Sequence, residues 1–188
     1  MRKVIAAINM TLDGVCDHTA GIPDEDLHQH YAQLLDSAGV VFYGRTTYQL
    51  MQFWQTLVRE PSGQQSMDDF ALAIDRVPKI VFSHTLRDTG WHSAKLAKTE
   101  IEKEVSVLKQ QPGKDILVGS RSLIIQLINL NLVDEFQLCI HPMIEGKGLP
   151  LFDKINSRTI FKLLNTKIFG SGAMVLYYQP VRQQVMSN

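Results

Sequence analysis

Cysteine is scarce in this chain. Cys16 and Cys139 are the only two among 188 residues and no CxxC pair occurs, so neither a thiolate zinc site nor a disulfide framework is written here. An excess of one charge is also lacking, since 19 Lys and Arg balance 19 Asp and Glu. Without a basic surplus there is no electrostatic footprint of phosphate-backbone binding, and nucleic acid is not expected as a partner. No apolar run reaches the ~18 residues that a bilayer-crossing helix needs. The opening MRKVIAAINMTLDG carries a short apolar run broken by Asn9 and no small-residue cleavage signature, so it reads as a strand and not a signal peptide. These absences predict a cytoplasmic protein with no membrane partner. Neither GxGxxG nor GxxxxGK followed by Ser or Thr is present, which excludes the common dinucleotide fingerprint and the P-loop. The histidines are scattered, and His28 and His30, two apart on a helix, point in opposed directions and cannot share an ion, so no metal is expected.

With 45% hydrophobic and 20% charged residues, the composition is that of a chain able to bury its own core. One domain over residues 1–180 is expected, with a polar tail at 181–188. Residues 3–9 form a continuous apolar run, the pattern of a strand buried on both faces. From Asp24, Leu27, Tyr31, Leu34, Leu35 and Ala38 fall at helical spacing behind three acidic residues, and Gly39 stops the helix. A strand at 40–43, the turn Gly44-Arg45-Thr46 and a helix with Tyr48, Met51, Phe53 and Trp54 follow. After a polar loop at 59–66 come a helix at 67–76 and a strand at 79–82. Thr99 and Glu102 make a capping box for a helix running to about Gln111. A strand at 116–118, an apolar helix at 123–130 and a strand at 135–141 continue the rhythm. The βα alternation then gives way to two extended runs, 160–169 and 173–179, around Gly170-Ser171-Gly172. Repeated strand–helix units imply parallel pairing, and the closing hairpin implies an antiparallel edge.

In such sheets ligands collect beyond the carboxyl ends of the strands, where helix N-termini expose N–H groups. Three strand ends carry small residues beside a hydroxyl or guanidinium: Gly44, Arg45 and Thr46; Ser83 and His84; and Gly119, Ser120, Arg121 and Ser122. Such a set suits an oligophosphate. Each alone also reads as a turn and cap.

The ordered motifs LDG at 12–14, VVFYGRTTY at 40–48, IVFSHTL at 80–86, ILVGSRSLI at 116–124 and LVDEFQLCIHPMIEGKGLPLF at 132–152 resemble the dihydrofolate reductase-like superfamily, in particular the branch that includes the reductase domain of riboflavin biosynthesis. The likeness spans roughly residues 3–179. It implies an α/β, dihydrofolate reductase-like three-layer fold, with a mixed, mostly parallel sheet, helices on both faces and a C-terminal antiparallel hairpin. It also implies hydride transfer from NADPH to a small heterocyclic or ribosylated pyrimidine substrate, such as dihydrofolate or a 5-amino-6-(5-phosphoribosylamino)uracil. By position, Gly44, Arg45 and Thr46 match the turn that holds the cofactor phosphates, with Arg45 facing a 2′-phosphate. Ser83 matches the adenosine side. Gly119, Ser120, Arg121, Ser122 and Leu123 match the turn and helix start under the pyrophosphate, and Ala7 the strand position beside the nicotinamide. The family usually has consecutive glycines where this chain has GSRSL, so Ser120 adds a Cβ at the closest approach.

On the substrate side, the resemblance places Asp26 nearest the family's helix acid and Asp13 in the loop that closes over the nicotinamide, so these two are the catalytic candidates. Acids at a helix start also serve as a solvated face complementing the dipole, and Asp13-Gly14 also reads as a plain turn. Tyr48, Met51 and Trp54 match positions lining the substrate cleft, while their spacing fits a core-facing helix equally. Lys147 reads either as a partner of a substrate phosphate or as a solvated loop lysine. HxE with PCxxC, the signature of the zinc deaminase partner, is missing, so a reductase acting alone is expected. A homodimer joined through the C-terminal strands is implied as well. The alternative is a non-catalytic nucleotide- or metabolite-binding protein on the same fold.

Overall fold

The apolar run near the N-terminus becomes β1 (Val4–Thr11), whose first four residues are buried. Side chains alternate across a strand, and β1 accordingly feeds two cores. Val4 and Ala6 pack with one layer, while Ile5 and Ala7 pack with the other. In chain order there follow α1 (Glu25–Ser37), β2 (Ala38–Gly44), α2 (Arg45–Met51), α3 (Phe53–Arg59), α4 (Gln65–Arg76), β3 (Lys79–Phe82), β4 (Ala94–Leu96), α5 (Ile101–Lys109), β5 (Asp115–Val118), α6 (Arg121–Asn129), β6 (Glu135–His141), β7 (Phe161–Ile168) and β8 (Met174–Pro180). The computed structural model describes residues 1–181, so the tail expected at 181–188 lies outside the described residues from position 182 onward.

The strands form one sheet in the order β4-β3-β2-β5-β1-β6-β8-β7. Pairs from β4 to β6 are parallel, and β8 joins β6 and β7 antiparallel. The expected mixed, mostly parallel sheet with a C-terminal hairpin is therefore present. Helices α5 and α6 cover one face through Ile101, Val105, Leu123, Ile124 and Leu127. On the other face α1, α2 and α4 contribute Ala32, Leu35, Tyr48, Ala73 and Ile74. The result is the three-layer arrangement that the resemblance implies.

Local details differ from the sequence reading in three places. The capping box does not form as Thr99 with Glu102. Instead Glu104 Oε1 accepts from the Lys98 and Thr99 amides at 3.1 and 3.2 Å and from the Thr99 hydroxyl at 3.1 Å, because α5 starts at Ile101, two residues after Thr99. The helix after Gly44 is two helices that break at Gln52. Strand β4 was not foreseen, since three residues carry too little periodicity to register. Helix α1 runs directly into β2. A Cβ on Gly39 would stand 2.8 Å from the Lys114 carbonyl oxygen, so glycine there allows β2 to lie close to the segment leading into β5.

Candidate active site

The sheet's carboxyl edge is stepped. β5 ends at Val118, which lies level with Ala6 of β1 and Phe42 of β2. β1 continues to Thr11, paired with β6 alone. The Lys3 carbonyl accepts from the Ile116 amide at 2.8 Å, so odd-numbered residues of β1 turn their backbone groups toward β5. Past Val118 no strand stands beside Asn9 on that side. The edge next to Ala7 and Asn9 thus opens as a crevice with backbone donors and acceptors on its rim.

Two helices begin along this step. Neither Gly44, before α2, nor Ser120, before α6, caps its helix with a side chain, so the amides of both first turns stay available and each N-terminus presents a positive dipole end. The Gly44 amide donates to Ser120 Oγ at 2.8 Å, which locks one start against the other. A Cβ on Gly44 would lie 3.3 Å from Ser122 Oγ, and one on Gly119 would lie 3.2 Å from Tyr43 Cε1. Any side chain at either position would press on these neighbours. Ser120 has ordinary extended backbone angles and is buried. Its side chain turns inward to Gly44, so the expectation that it crowds the approaching ligand is corrected.

Arg45 and Thr46 are exposed at the start of α2. Arg45 Nη1 donates to Thr85 Oγ1 at 2.7 Å. Ser83 Oγ accepts from the Thr85 and Leu86 amides at 3.2 and 3.0 Å, so Ser83 shapes the turn that offers Thr85 to Arg45. Arg121 is placed differently from expectation. Its Nε donates to the Pro150 carbonyl at 2.7 Å, and its Nη2 pairs with Asp153. It braces the 150–153 segment and is not aimed at a phosphate. Leu123 is core, packed on the α5–α6 side; only its backbone belongs to the helix start. Ser122 is exposed beside Gly44.

The loops after β1 and β6 zip together at the same edge. The Leu12 amide donates to the Met143 carbonyl, the Cys16 amide to Leu149 and the Leu151 amide to Gly14, each at 2.9 Å. Asp13 is the clasp. It accepts from the Glu145 and Gly146 amides at 3.2 and 2.7 Å and from the Thr11 hydroxyl. The Thr11 hydroxyl and the Gly146 amide hold its carboxyl below the usual range, and its bonds tie the loop after β1 to the 145–146 turn. Asp17 Oδ2 accepts from the Leu149 amide at 3.0 Å and completes the zipper. Lys147 is exposed in this loop.

Asp26 is also corrected. It is exposed on the first turn of α1, with Oδ2 4.0 Å from where a Cβ of Gly170 would stand, beside the β7–β8 turn. The working acid of this turn is Asp24, whose Oδ1 accepts from the Leu27 amide at 2.8 Å and whose Oδ2 accepts from the Ser171 amide at 3.1 Å. Tyr48 belongs to the core. It is 1% exposed and donates to the Thr89 carbonyl at 2.5 Å, so it does not line a cleft. Met51 and Trp54 are half-buried. Trp54 stacks edge-on with Phe70 at 4.4 Å and meets His28 at 5.9 Å. Burial lowers the pKa of His28, and Asp24 opposes the shift.

One polar pair escaped the sequence reading. Tyr31 Oη, on α1, donates to Asn9 Oδ1, on β1, at 2.7 Å. Asn9 showed itself only as an interruption of an apolar run, and Tyr31 only as one member of a helical stripe. His141, at the end of β6, is likewise engaged: its Nδ1 accepts from the Ile22 amide at 3.1 Å, which leaves the proton on Nε2. Burial lowers its pKa.

Two clefts of about 500 and 510 Å³ are lined by Ile128, Arg158 and Phe161 among others, in the layer of α6. Their lining holds no helix N-terminus and no acid–base pair. Among the described residues no group of three His, Cys, Asp or Glu could hold a metal, and no helix is long and apolar enough to cross a membrane.

The family model described as the RibD C-terminal domain matches residues 2–175. The chain belongs to the RibD C-terminal domain family. The same assignment places it among the reductase-like domains whose motifs it resembles. It is similar to YyaP of Bacillus subtilis (strain 168), an uncharacterized protein, at 34% identity over 181 residues, 94% of each chain. Among solved structures it resembles a putative riboflavin biosynthesis protein from Shewanella sp. PV-4, with TM-score 0.72 and 17% identity, covering 96% of this chain and 99% of that one. It also resembles dihydrofolate reductase from Enterococcus faecalis, crystallised with NADP(H), with TM-score 0.63 and 12% identity, covering 95% and 96%. At these identities the two structural likenesses establish the RibD C-terminal and dihydrofolate reductase-like fold.

Proposed function

We propose that this chain is an NADPH-dependent reductase that transfers hydride to a small heterocyclic or ribosylated pyrimidine substrate at the stepped carboxyl edge. The observation that carries the reading is the pair of uncapped helix starts, α2 and α6, locked together by the Gly44 amide and Ser120 Oγ at 2.8 Å. Their first-turn amides form a ready seat for a pyrophosphate. Arg45, exposed at the same start and oriented by Thr85, would meet a further phosphate through charge-assisted hydrogen bonds. Ala7 offers the rim of β1 to the nicotinamide end. When bound, the nicotinamide supplies the hydride, and the protein supplies binding and orientation. Asp13 is committed to the loop clasp and Asp26 stands beside the far hairpin. Water at the open edge is therefore the proton source in this reading.

A calorimetric titration with NADPH and with NADH, in wild type and Arg45→Ala, tests the proposal. A charge-assisted contact contributes about 1.5–3 kcal/mol, so NADPH affinity is expected to fall about tenfold to hundredfold in the variant while NADH changes little. Absence of binding of either cofactor would put the non-catalytic metabolite-binding reading in its place. We also propose a cytoplasmic homodimer. All of β7 beyond Phe161 is exposed, with Leu163, Leu164 and Ile168 at 48%, 50% and 68%, and an unpaired apolar edge strand invites a second copy. A monomer by light scattering at micromolar concentration would remove that assembly.

A further inference from the structure

The rim of β1 holds a polar device that the cofactor reading does not use. Asn9 is exposed, two residues past Ala7, and Tyr31 reaches it across the layer from α1. Tyr31 Oη donates to Asn9 Oδ1 at 2.7 Å, which fixes the amide so that the carbonyl faces the phenol and the NH₂ faces away. An amide held this way turns its two donors outward and has one lone pair of its acceptor taken. Desolvation keeps the Tyr31 phenol protonated, since its pKa is raised well above the ordinary value, so the pair stays neutral throughout the range in which the protein works.

Among the described residues no carboxylate is hydrogen-bonded to Asn9 or Tyr31. Asp13 closes the loop zipper. Asp24 caps α1 and holds Ser171. Asp26 lies beside Gly170. Glu135 faces Ile5 at the other end of β1 and bonds Gln137 Nε2 at 2.8 Å. At Asn9 itself the N–H groups of a cationic amidine would oppose the Asn9 N–H groups. An acceptor oxygen would find them well placed.

We propose that the Asn9–Tyr31 pair is a specificity-determining element of this site, selecting ligands that present a neutral carbonyl oxygen over ligands that present a protonated amidine. The proposal rests on the reductase reading of the edge. Asn9 makes the contact, and Tyr31 acts as a positioning residue that holds the amide.

The test uses protein saturated with NADP⁺ and two probes of matched size: uracil, which is neutral and carbonyl-bearing, and 2,4-diaminopyrimidine, held below its pKa. Binding is read by ligand-observed NMR in wild type, Asn9→Asp and Tyr31→Phe, and NADPH affinity is measured on the same preparations. A neutral hydrogen bond is worth about 1 kcal/mol and an opposed donor costs about as much, so wild type is expected to prefer uracil by about tenfold or more. Asn9→Asp, which is isosteric, is expected to reverse the preference, because a carboxylate pairs with an amidine by charge-assisted bonds. Tyr31→Phe frees the amide to flip and is expected to shrink the preference without changing NADPH affinity. If NADPH binds normally and Asn9→Asp keeps the wild-type preference, or wild type binds neither probe, the pair has no such role and the reductase reading survives. If NADPH fails to bind at all, both fall together.

Discussion

Acidification tests the burial of one histidine in particular. His30 is 8% exposed on the inner face of α1, with its ring 5.5 Å from Phe169, 5.4 Å from Tyr31 and 6.5 Å from Tyr177. Desolvation among these rings, helped by the Lys167 ammonium, lowers its pKa from 6.5 to about 4. Below pH 6.5 the unfolded chain takes up a proton that the folded chain refuses. Stability contributed by neutral burial is therefore fully present above 6.5, falls as pH drops toward 4, and levels off below that. Each pKa unit corresponds to about 1.36 kcal/mol, so the full shift sets a ceiling of about 3.4 kcal/mol. Partial screening at the rim of the α1–hairpin contact reduces this to about 2 kcal/mol. The measurement is urea unfolding of wild type and His30→Phe at a series of pH values between those limits. The phenylalanine changes the absolute stability at every pH, so only the difference in slope counts. Titration of His28, His141 and the carboxylates is common to both proteins and cancels. The expected result is a wild-type curve that loses about 2 kcal/mol more than the variant on acidification. Parallel curves would refute the reasoning, and would mean that the α1–hairpin contact admits water or a proton acceptor to His30.

Two further outcomes follow from the edge geometry. Ser120→Ala removes the acceptor of the Gly44 amide; it should cost about 1 kcal/mol in urea unfolding and weaken NADPH binding, since the two helix starts are no longer locked. Gly148 has φ +136, and a Cβ there would stand 2.4 Å from Asp17 Oδ2 and 2.6 Å from Val15 Cγ1. Gly148→Ala should destabilise by about 2 kcal/mol through strain and displacement. It should also speed proteolytic nicking within 142–150, and unchanged cleavage would mean that the zipper does not depend on this turn.

Local pattern determined the order of the strands and helices apart from β4 and the break between α2 and α3, together with the switch from parallel units to a closing hairpin and the glycine turns after β2 and β5, because each is a property of a few consecutive residues. It also picked out the strand ends where Gly44, Arg45 and Gly119 gather. Side-chain partners were another matter. Asp13 meets the Gly146 amide, 133 positions away, and Arg121 meets Pro150 and Asp153. The first exists because β1 and β6 are neighbours whose loops leave the sheet side by side, and the second because β5 lies on the other side of β1 and ends at the same edge. The same register carries Asp26 to the hairpin, buries Tyr48 beneath Thr89 and brings Tyr31 to Asn9. A local pattern specifies which face of an element is apolar, but which polar group that face meets depends on strand order and register, and these are settled only when the whole sheet closes its core.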